Sequence, residues 1–332
     1  AIGGSAMHNI AIALNKKGYI VTGSDDDIFE PSKGRLSKHD LLPEEMGWDT
    51  NRISNKIDVV ILGMHARKEN PELLKAQELG LKIYSYPEYI YEQTKDKKRV
   101  VIGGSHGKTS ITAMTLHVLQ KAKFDVDYMV GAQLAGFDTM VKLTDEADIV
   151  ILEGDEYLSS PIDLRPKFHL YYPHIAVLSG IAWDHINVFP TFKNYVKQFQ
   201  IFVDKIEERG TLIYFDKDDN AKKIGERFKY NKEPYNVHPN ICKDGITYLI
   251  DNGETYPLLI FGDHNLQNLN ASLKICLSLG LSKEIFYKNI QSFKGASKRL
   301  ELVEKNNTSN IYKDFAHSPS KLKATSSAVK KQ

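Results

Sequence analysis

The sequence has little cysteine, no long apolar run and almost no net charge. Its 332 residues include 2 cysteines, Cys242 and Cys276, which excludes a disulfide scaffold and a paired-cysteine metal site, and we expect both thiols to be reduced and buried. No apolar run approaches the roughly 20 residues needed to cross a bilayer. A net charge of +2 lacks the clustered basic excess of nucleic-acid binders. These absences predict a cytoplasmic protein with no nucleic-acid partner and no membrane insertion.

The first part of the chain, residues 1–94, predicts a Rossmann-like domain. Runs of β-branched residues and one amphipathic stretch alternate as strand, strand, helix and strand, at 18–23, 58–63, 71–80 and 81–84. Alternation of this kind is typical of a parallel sheet covered by helices.

A charged segment, 92–99, is the predicted linker to a second α/β domain over residues 95–296. The predicted elements of that domain are strands at 100–102, 148–152, 175–178 and 211–215, a hairpin of strands 246–250 and 255–260, and helices at 111–122 and 265–279. Residues 297–332 would begin a third domain that is too short to fold alone, and both ends of the chain look cut.

A glycine-rich loop between a predicted strand and a predicted helix is the strongest motif. It consists of Gly104, Ser105, His106, Gly107, Lys108, Thr109 and Ser110. Glycines let a backbone curl and point N–H groups at phosphate oxygens, while a lysine reaches the β- and γ-phosphates and a hydroxyl binds Mg²⁺. Lys108 and Thr109 can fill these two roles. The predicted fold class is therefore α/β, with a Rossmann-like parallel-sheet domain, a central P-loop ATPase domain and the truncated start of a third α/β domain.

Polar residues follow two other predicted strands of the central domain. Glu153 ends the strand 148–152, and His185 follows the strand 175–178. Because ligands bind beyond the carboxyl ends of parallel strands, the two side chains could meet near the phosphate loop. A carboxylate suits Mg²⁺ better than an imidazole does, and each residue could instead be structural.

A third set of polar residues opens the predicted helix at 265–279. His264, Asn265 and Asn268 lie in its first turn, where backbone N–H groups are free. Their side chains could read an adenine edge, although helix capping is the simpler interpretation of the spacing alone.

A second glycine turn lies at the start of the chain. Gly3 and Gly4 are followed by Ser5 and Met7, and Asp25 comes 21 residues after Gly4. The pattern is similar to an incomplete dinucleotide-binding fingerprint, since alanines stand where glycines are wanted.

Taken in order, these motifs resemble the Mur ligase family, the ATP-dependent amide-bond formers of peptidoglycan assembly. The segments that carry the resemblance are 104–110, 153–157, 183–185, 264–268, Arg299 and 314–319. Residues 3–7, 23–25 and 70–72 resemble the UDP-binding domain of the members that act on UDP-N-acetylmuramate itself.

The resemblance implies an ADP-forming ligase that uses ATP and Mg²⁺. ATP would phosphorylate the lactyl carboxylate of UDP-N-acetylmuramate, and an amine would attack the resulting acyl phosphate. The implied catalytic residues are Lys108, Glu153 and His185, and the implied metal ligands are Thr109, Glu153 and His185. The implied ATP-binding residues are Gly104, Ser105, His106, Gly107, Lys108, Thr109, Ser110, His264, Asn265, Asn268, Arg299, Asp314 and His317. The implied UDP-sugar-binding residues are Gly3, Gly4, Ser5, Met7, Ser24 and Asp25.

Two kinds of family member fit, and they differ in the amine donor. One adds L-alanine, and the other adds the tripeptide L-alanyl-γ-D-glutamyl-meso-diaminopimelate. The segments 155–157, 163–165, 167–168 and 172–173 resemble the tripeptide ligase more closely, so we favour it.

Hypotheses from other classes are a nucleotide-binding module without turnover, a GTP switch protein and a nicotinamide dehydrogenase. The GTP switch lacks a guanine-reading Asn-Lys-x-Asp segment, because 231–234 reads Asn-Lys-Glu-Pro. The dehydrogenase hypothesis leaves the loop 104–110 without a role.

Overall fold

Strands alternate with helices along most of the chain. The computed structural model describes residues 1–296, 300–306, 308–314, 316 and 319–332. In these residues the helices are α1 Ser5–Lys16, α2 Ser32–Lys38, α3 Pro71–Glu78, α4 Tyr86–Thr94, α5 Lys108–Lys121, α6 Phe192–Asp204, α7 Asp219–Arg227, α8 Asp263–Ser278, α9 Lys283–Ile290 and α10 Pro319–Lys331. The strands there are β1 Val59–Leu62, β2 Lys82–Ser85, β3 Lys98–Gly103, β4 Asp127–Met129, β5 Val141–Lys142, β6 Ile149–Glu153, β7 Ile175–Leu178, β8 Thr211–Phe215, β9 Asn231–Tyr235, β10 Asn240–Lys243, β11 Ile246–Asp251, β12 Glu254–Leu258, β13 Glu301–Lys305 and β14 Asn310–Lys313.

A seven-stranded sheet with the order β5-β4-β6-β3-β7-β8-β9 forms the centre of the molecule. Its neighbours run parallel except for β4 and β5. In β3, Val100, Val101 and Ile102 are each 0% exposed, as expected for a parallel strand covered on both faces. Val100 and Ile102 face a core built with α5, α8 and α9, whereas Val101 faces the core under α4, α6 and α7. The predicted α/β fold class is confirmed.

The N-terminal region contains one of the errors of the sequence-based prediction. β1 and β2 form the expected parallel pair, and α3 lies between them. The strand predicted over 18–23 is wrong, because this segment pairs with no strand among the described residues and Ile20 is 99% exposed. A single backbone bond, from Ile2 N–H to Ser24 O (3.0 Å), ties its end to the start of the chain. β-Branched residues form a strand only where a neighbouring strand supplies a ladder of hydrogen bonds.

The junction between the N-terminal region and the central sheet is also more ordered than predicted. α4 extends to Thr94 and β3 begins at Lys98, so the helix and the strand leave only residues 95–97 between them. Arg99, at the end of the predicted linker, is 2% exposed. Local charge predicted a linker over 92–99, but the guanidinium of Arg99 is buried against backbone carbonyls.

The remaining sheets are small and antiparallel. β10, β11 and β12 form one of them, with the predicted hairpin turn at Asn252 and Gly253, and β13 pairs with β14. Cys276 is buried as predicted, but the prediction for Cys242 is wrong: it is exposed, because β10 is an edge strand. Within the described ranges, none of the helices combines the length and the apolar character needed to cross a membrane.

Candidate active site

The phosphate loop connects β3 to α5 and packs closely against Ser179, which follows β7, and Asn268 of α8. Gly104 and Gly107 have φ angles of +132° and +82°, which side chains on L-residues rarely allow. A Cβ on Gly104 would lie 2.1 Å from Ser179 Oγ, and one on Gly107 would lie 2.2 Å from Asn268 Oδ1. Both positions therefore require glycine, and the loop runs directly between the end of β7 and the first turns of α8.

The residues that follow β7 hold the middle of the loop in place. Ser105 N–H donates to Gly180 O (3.0 Å), and Ser105 Oγ accepts from Ala182 N–H (2.9 Å). Ser179 Oγ donates to the carbonyl of His106. These bonds fix the backbone of the loop before α5 begins, and Ser110 lies half-buried in the first turn of that helix.

Lys108 and His185 are brought together by a third residue, Glu156. Lys108 Nζ lies 2.5 Å from Glu156 Oε2 and donates to Gly104 O at 2.8 Å. The other oxygen of Glu156 lies 3.8 Å from His185 Nε2 and accepts from Tyr195 OH at 3.1 Å. Glu156 is 1% exposed, so these partners take the place of water around its carboxylate.

The charge of Lys108 is favoured by its surroundings. Burial acts to lower the pKa of the lysine, but the carboxylates of Glu156 and Asp155 outweigh it and hold the pKa above its ordinary value. The ammonium group therefore stays protonated at neutral pH, which is the state that attracts phosphate.

Thr109 and Glu153 form the second polar contact of the site. Thr109 Oγ1 donates to Glu153 Oε1 at 2.7 Å, and Gly131 N–H donates to Glu153 Oε2, also at 2.7 Å. Burial raises the pKa of Glu153, while these two hydrogen bonds and the charge of Lys108 partly oppose the shift. A cation beside this carboxylate would stabilise its ionised form.

The donor set suits Mg²⁺ that is shared with a nucleotide. Among the described residues, no three His, Cys, Asp or Glu side chains are grouped closely enough to hold a metal ion by themselves. Mg²⁺ is commonly held by one or two carboxylates together with substrate phosphates and water. One carboxylate and one hydroxyl beside a phosphate loop fit that mode of binding, whereas a fully protein-built cage does not.

The first turns of α8 lie partly at the phosphate loop and partly away from it. Asn268 is the neighbour of Gly107 described above, and it is buried. Asn265 is also buried, but its Nδ2 donates to the carbonyl one turn earlier. Burial lowers the pKa of His264, and the charge of Asp314 opposes that shift. His264 and Asp314 are therefore close enough to interact, although they are 50 residues apart in sequence.

Asp314 connects the elements of the last part of the chain. Its Oδ1 accepts from Leu300 N–H at 3.0 Å, and its Oδ2 accepts from Thr325 Oγ1 at 2.5 Å. Arg299 and His317, which the resemblance assigns to ATP, lie outside the described residues.

The N-terminal glycine turn borders a cavity of about 880 Å³. Gly3, Gly4 and Asp25 line it together with Trp48 and Arg67. Gly3 N–H donates to Asp25 Oδ2 at 2.8 Å, which holds the turn against the loop that follows residue 24. Three of the predicted sugar-nucleotide residues therefore share one cavity wall.

The other three predicted residues lie outside the lining of this cavity, and of these Ser24 is buried, Met7 is half-buried and Ser5 is exposed. Ser24 is buried and donates to Glu72 Oε1 at 2.7 Å. Ser5 Oγ lies 3.8 Å from Met140 Sδ in the central domain, and Met7 packs against the glycine that follows β1. Within the described part of the chain, none of the three lines the 880 Å³ cavity.

Sequence reasoning did not select Glu156 or Tyr195 as site residues. Glu156 lies in the acidic stretch that follows β6, three residues after Glu153, so its position beyond a strand end was an available signal. Tyr195 lies on α6 and offers no such signal, because its OH reaches Ser105 Oγ (3.0 Å) only through tertiary packing.

Comparisons with known proteins agree on one family. The model of the Mur ligase middle domain matches residues 102–276. The UDP-N-acetylmuramate–L-alanine ligase of Caldicellulosiruptor saccharolyticus is 31% identical over 99% of this chain and 73% of that protein. The UDP-N-acetylmuramate–L-alanyl-γ-D-glutamyl-meso-2,6-diaminoheptandioate ligase of Haemophilus influenzae is 26% identical over 98% of this chain and 74% of that protein.

A solved structure agrees with these sequence matches. The murein peptide ligase of Psychrobacter arcticus has the same fold, with a TM-score of 0.80 and 22% identity over 98% of this chain and 73% of that chain. Since the family model spans more than half of the residues and includes the phosphate loop from Gly104 to Ser110, this chain belongs to the Mur ligase family.

Proposed function

We propose that this protein is a cytoplasmic ATP-dependent, ADP-forming ligase of peptidoglycan recycling. It joins L-alanyl-γ-D-glutamyl-meso-diaminopimelate to the lactyl carboxylate of UDP-N-acetylmuramate. The observation that carries the proposal is the group of Lys108, Thr109, Glu153, Glu156 and His185 at one edge of the parallel sheet. Charge of both signs is concentrated there beside a loop shaped for phosphate.

The reaction divides into two transfers. A carboxylate oxygen of UDP-N-acetylmuramate attacks the γ-phosphorus of ATP, the bond to the β-phosphate oxygen breaks, and ADP leaves. The amine nitrogen of the incoming L-alanyl group then attacks the acyl phosphate carbon, phosphate leaves, and the nitrogen loses a proton. Lys108 supplies positive charge to the transferring phosphoryl group, and the backbone N–H groups of the loop 104–110 orient it.

Thr109 and Glu153 would hold Mg²⁺, and His185 would be the third metal ligand. When bound, Mg²⁺ neutralises charge on the phosphate oxygens. Glu156 keeps Lys108 and His185 on the same side of the site. Tyr195 and Ser105 complete the polar wall behind that carboxylate.

The ends of ATP and of the sugar nucleotide are assigned to separate regions. We infer that His264, Asn265 and Asn268 line the adenine side, and that Arg299, Asp314 and His317 close over the nucleotide. The 880 Å³ cavity would take the UDP portion on Gly3, Gly4 and Asp25, with Ser5, Met7 and Ser24 supporting its wall. The proposed domains are 1–94 for the sugar nucleotide, 95–296 for ATP, and 297–332 as the start of the ligase domain.

The amine donor is the finer part of the proposal. The resemblance of residues 155–173 to the tripeptide ligases supports the tripeptide, whereas the 31% identity with an L-alanine ligase supports L-alanine as the alternative. A nucleotide-binding module without turnover is the alternative from another class.

A phosphate-release assay on the purified full-length protein tests both levels. With ATP, Mg²⁺ and UDP-N-acetylmuramate present, we expect release with the tripeptide to exceed release with L-alanine. A preference for L-alanine would overturn the choice of donor, and no release with either amine would favour the module without turnover.

The lysine of the phosphate loop gives the matched test of the site. Lys108→Ala should abolish release almost completely, since the charge on the phosphoryl group is lost. Lys121→Ala, at the exposed end of the same helix, should leave release unchanged. Wild-type rates in Lys108→Ala would remove the phosphate-loop assignment.

A further inference from the structure

Two fully buried polar residues of α1 lie between the N-terminal cavity and the central domain. His8 is 2% exposed and Asn9 is 0% exposed, although neither belongs to a motif that the sequence reasoning used. A buried imidazole and a buried amide cost free energy unless each polar atom is paired. The hydrogen-bond partners of His8 and Asn9 therefore indicate the role of these two residues.

The hydrogen bonds of His8 fix its tautomer. Its Nδ1 lies 2.9 Å from Gly4 O, which can only accept, so Nδ1 carries the proton. The same nitrogen lies 3.1 Å from Ser32 Oγ, and both Gly4 and Ser32 line the 880 Å³ cavity. Nε2 is consequently an acceptor, and it faces Asn9 Nδ2 at 2.9 Å.

The tautomer of His8 in turn orients the amide of Asn9. Asn9 Nδ2 donates to His8 Nε2 and to Ser5 O (2.8 Å), so Oδ1 must point the other way. There it accepts from the backbone N–H of Met140 at 2.9 Å. Asn9 thus bonds the wall of the N-terminal cavity to a backbone group of the central domain.

The bond to Met140 leads directly to Glu153. Met140 O accepts from Val130 N–H at 3.0 Å, and the next residue, Gly131, donates its N–H to Glu153 Oε2 at 2.7 Å. The segment 130–140 is therefore held by Asn9 at one end and holds the proposed metal-binding carboxylate at the other.

We propose that His8 and Asn9 are positioning residues that couple occupancy of the N-terminal cavity to the placement of Glu153. The inference rests on the proposed function, since it needs UDP-N-acetylmuramate in the cavity and Mg²⁺–nucleotide at the phosphate loop. A ligand that shifts the backbone at Gly4 would change the hydrogen bonds of His8 and Asn9. Through the segment 130–140, this change would alter the position of Glu153. Each ligand then changes the affinity for the other, and by the same factor in both directions.

The experiment measures the Kd of a non-hydrolysable Mg²⁺–ATP analogue with and without saturating UDP-N-acetylmuramate. For the wild type we expect the two Kd values to differ at least about fivefold. Asn9→Leu has nearly the shape of asparagine but offers no acceptor to Met140 N–H, and should reduce the ratio to less than about twofold. Asn9→Asp keeps that acceptor but loses the donor to His8 Nε2 and Ser5 O, so it should also reduce the ratio, and a wild-type ratio in this variant would show that His8 has no part in the coupling.

Lys16→Ala is the matched control. Lys16 lies on the same helix and pairs with Asp138 of the same central-domain segment at 2.6 Å, but on the exposed surface. Its loss should leave the ratio at the wild-type value, because an exposed pair contributes little and lies outside the chain of bonds. A ratio that falls equally in Lys16→Ala and Asn9→Leu would show general loosening of the interface and overturn the proposal.

The remaining outcomes separate this inference from the proposed function. A wild-type ratio near one, or a wild-type ratio in Asn9→Leu, overturns the coupling and leaves the ligase assignment intact. A wild type that binds neither ligand overturns both. If Asn9→Leu does not fold, amide hydrogen exchange of the wild type decides: slower exchange in 130–140 on adding UDP-N-acetylmuramate supports the coupling, and unchanged exchange overturns it.

Discussion

Lys108 Nζ and Glu156 Oε2 lie 2.5 Å apart, so the lysine of the phosphate loop is already neutralised by a carboxylate in the protein itself. Glu156 is almost fully buried, and the lysine side chain is 14% exposed. Phosphate oxygens that enter the loop would therefore compete with Glu156 for the same ammonium group. The pair stabilises the free protein and sets the lysine in place before a nucleotide arrives.

Replacing Glu156 by glutamine tests this relationship. In the nucleotide-free protein, Glu156→Gln should lower the free energy of unfolding by about 2 kcal/mol, because the buried ammonium loses the counter-charge in direct contact with it. Saturating Mg²⁺–ATP analogue should restore most of that loss, since phosphate supplies the missing charge. Urea unfolding with and without the analogue measures both quantities.

The control for this substitution is Glu233→Gln. Glu233 pairs with Lys274 at 3.3 Å on the surface, so its loss should change the free energy of unfolding by less than about 0.5 kcal/mol. If the analogue stabilised Glu156→Gln no more than the wild type, competition between phosphate and Glu156 would be excluded.

Removing the hydroxyl of Thr109 tests the assignment of Mg²⁺. Thr109→Val keeps the shape of the side chain but cannot donate to Glu153 or bind a cation. We expect the Mg²⁺ concentration that gives half-maximal phosphate release to rise at least about tenfold. Thr115→Val, in the next turns of the same helix, loses only a bond to Ser272 and should keep the wild-type Mg²⁺ dependence. Equal dependence in both variants would remove Thr109 from the metal site.

The sequence predicted β3, β6, β7 and β8 of the central sheet because these strands are largely buried on both faces, and it missed β4, β5 and β9. Short continuous apolar runs such as 100–102 and 175–178 are typical of such strands, and glycine spacing marked the phosphate loop. The strand expected at 18–23 failed because a strand depends on a partner that local pattern does not reveal. Contacts such as those of Glu156 and Asn9 join residues distant in sequence, so single-sequence periodicity could not supply them.

Arg99 shows how tertiary structure overrides a charged pattern. Its guanidinium donates to the carbonyls of Thr94 (3.2 Å), Lys95 (2.6 Å) and Lys97 (3.0 Å), and also to those that follow Leu170. Arg99→Met retains the aliphatic stem but leaves these buried acceptors unpaired, so the free energy of unfolding should fall by about 3 kcal/mol. Chemical denaturation provides the measurement.

The neighbouring residue supplies the comparison for Arg99. Lys98 lies on the same strand with an exposed side chain, and Lys98→Met should change stability by less than about 0.5 kcal/mol. Similar losses in the two variants would indicate that methionine at this junction is harmful in itself and that the carbonyl cluster carries no special stability.

The buried imidazole of His169 should make the free energy of unfolding depend on pH. The residue is 6% exposed, its Nε2–H donates to Gln198 O at 2.8 Å, and its ring stacks on Phe168. Burial is the largest cause that lowers the pKa of His169 to about 4. An unfolded chain has a histidine pKa of about 6.5, so between these values the unfolded state binds more protons than the folded state.

The sign of the effect follows from that difference. The contribution of His169 is fully present above about pH 6.5 and is lost as the pH falls toward 4, by up to about 3 kcal/mol. His169→Gln can still donate to Gln198 O but cannot take up a proton. Urea unfolding at pH 7.5 and 4.5 should therefore show a smaller loss of stability in the variant than in the wild type. Equal losses in the two proteins would mean that His169 is protonated in the folded state without penalty, which the stacked and buried ring argues against.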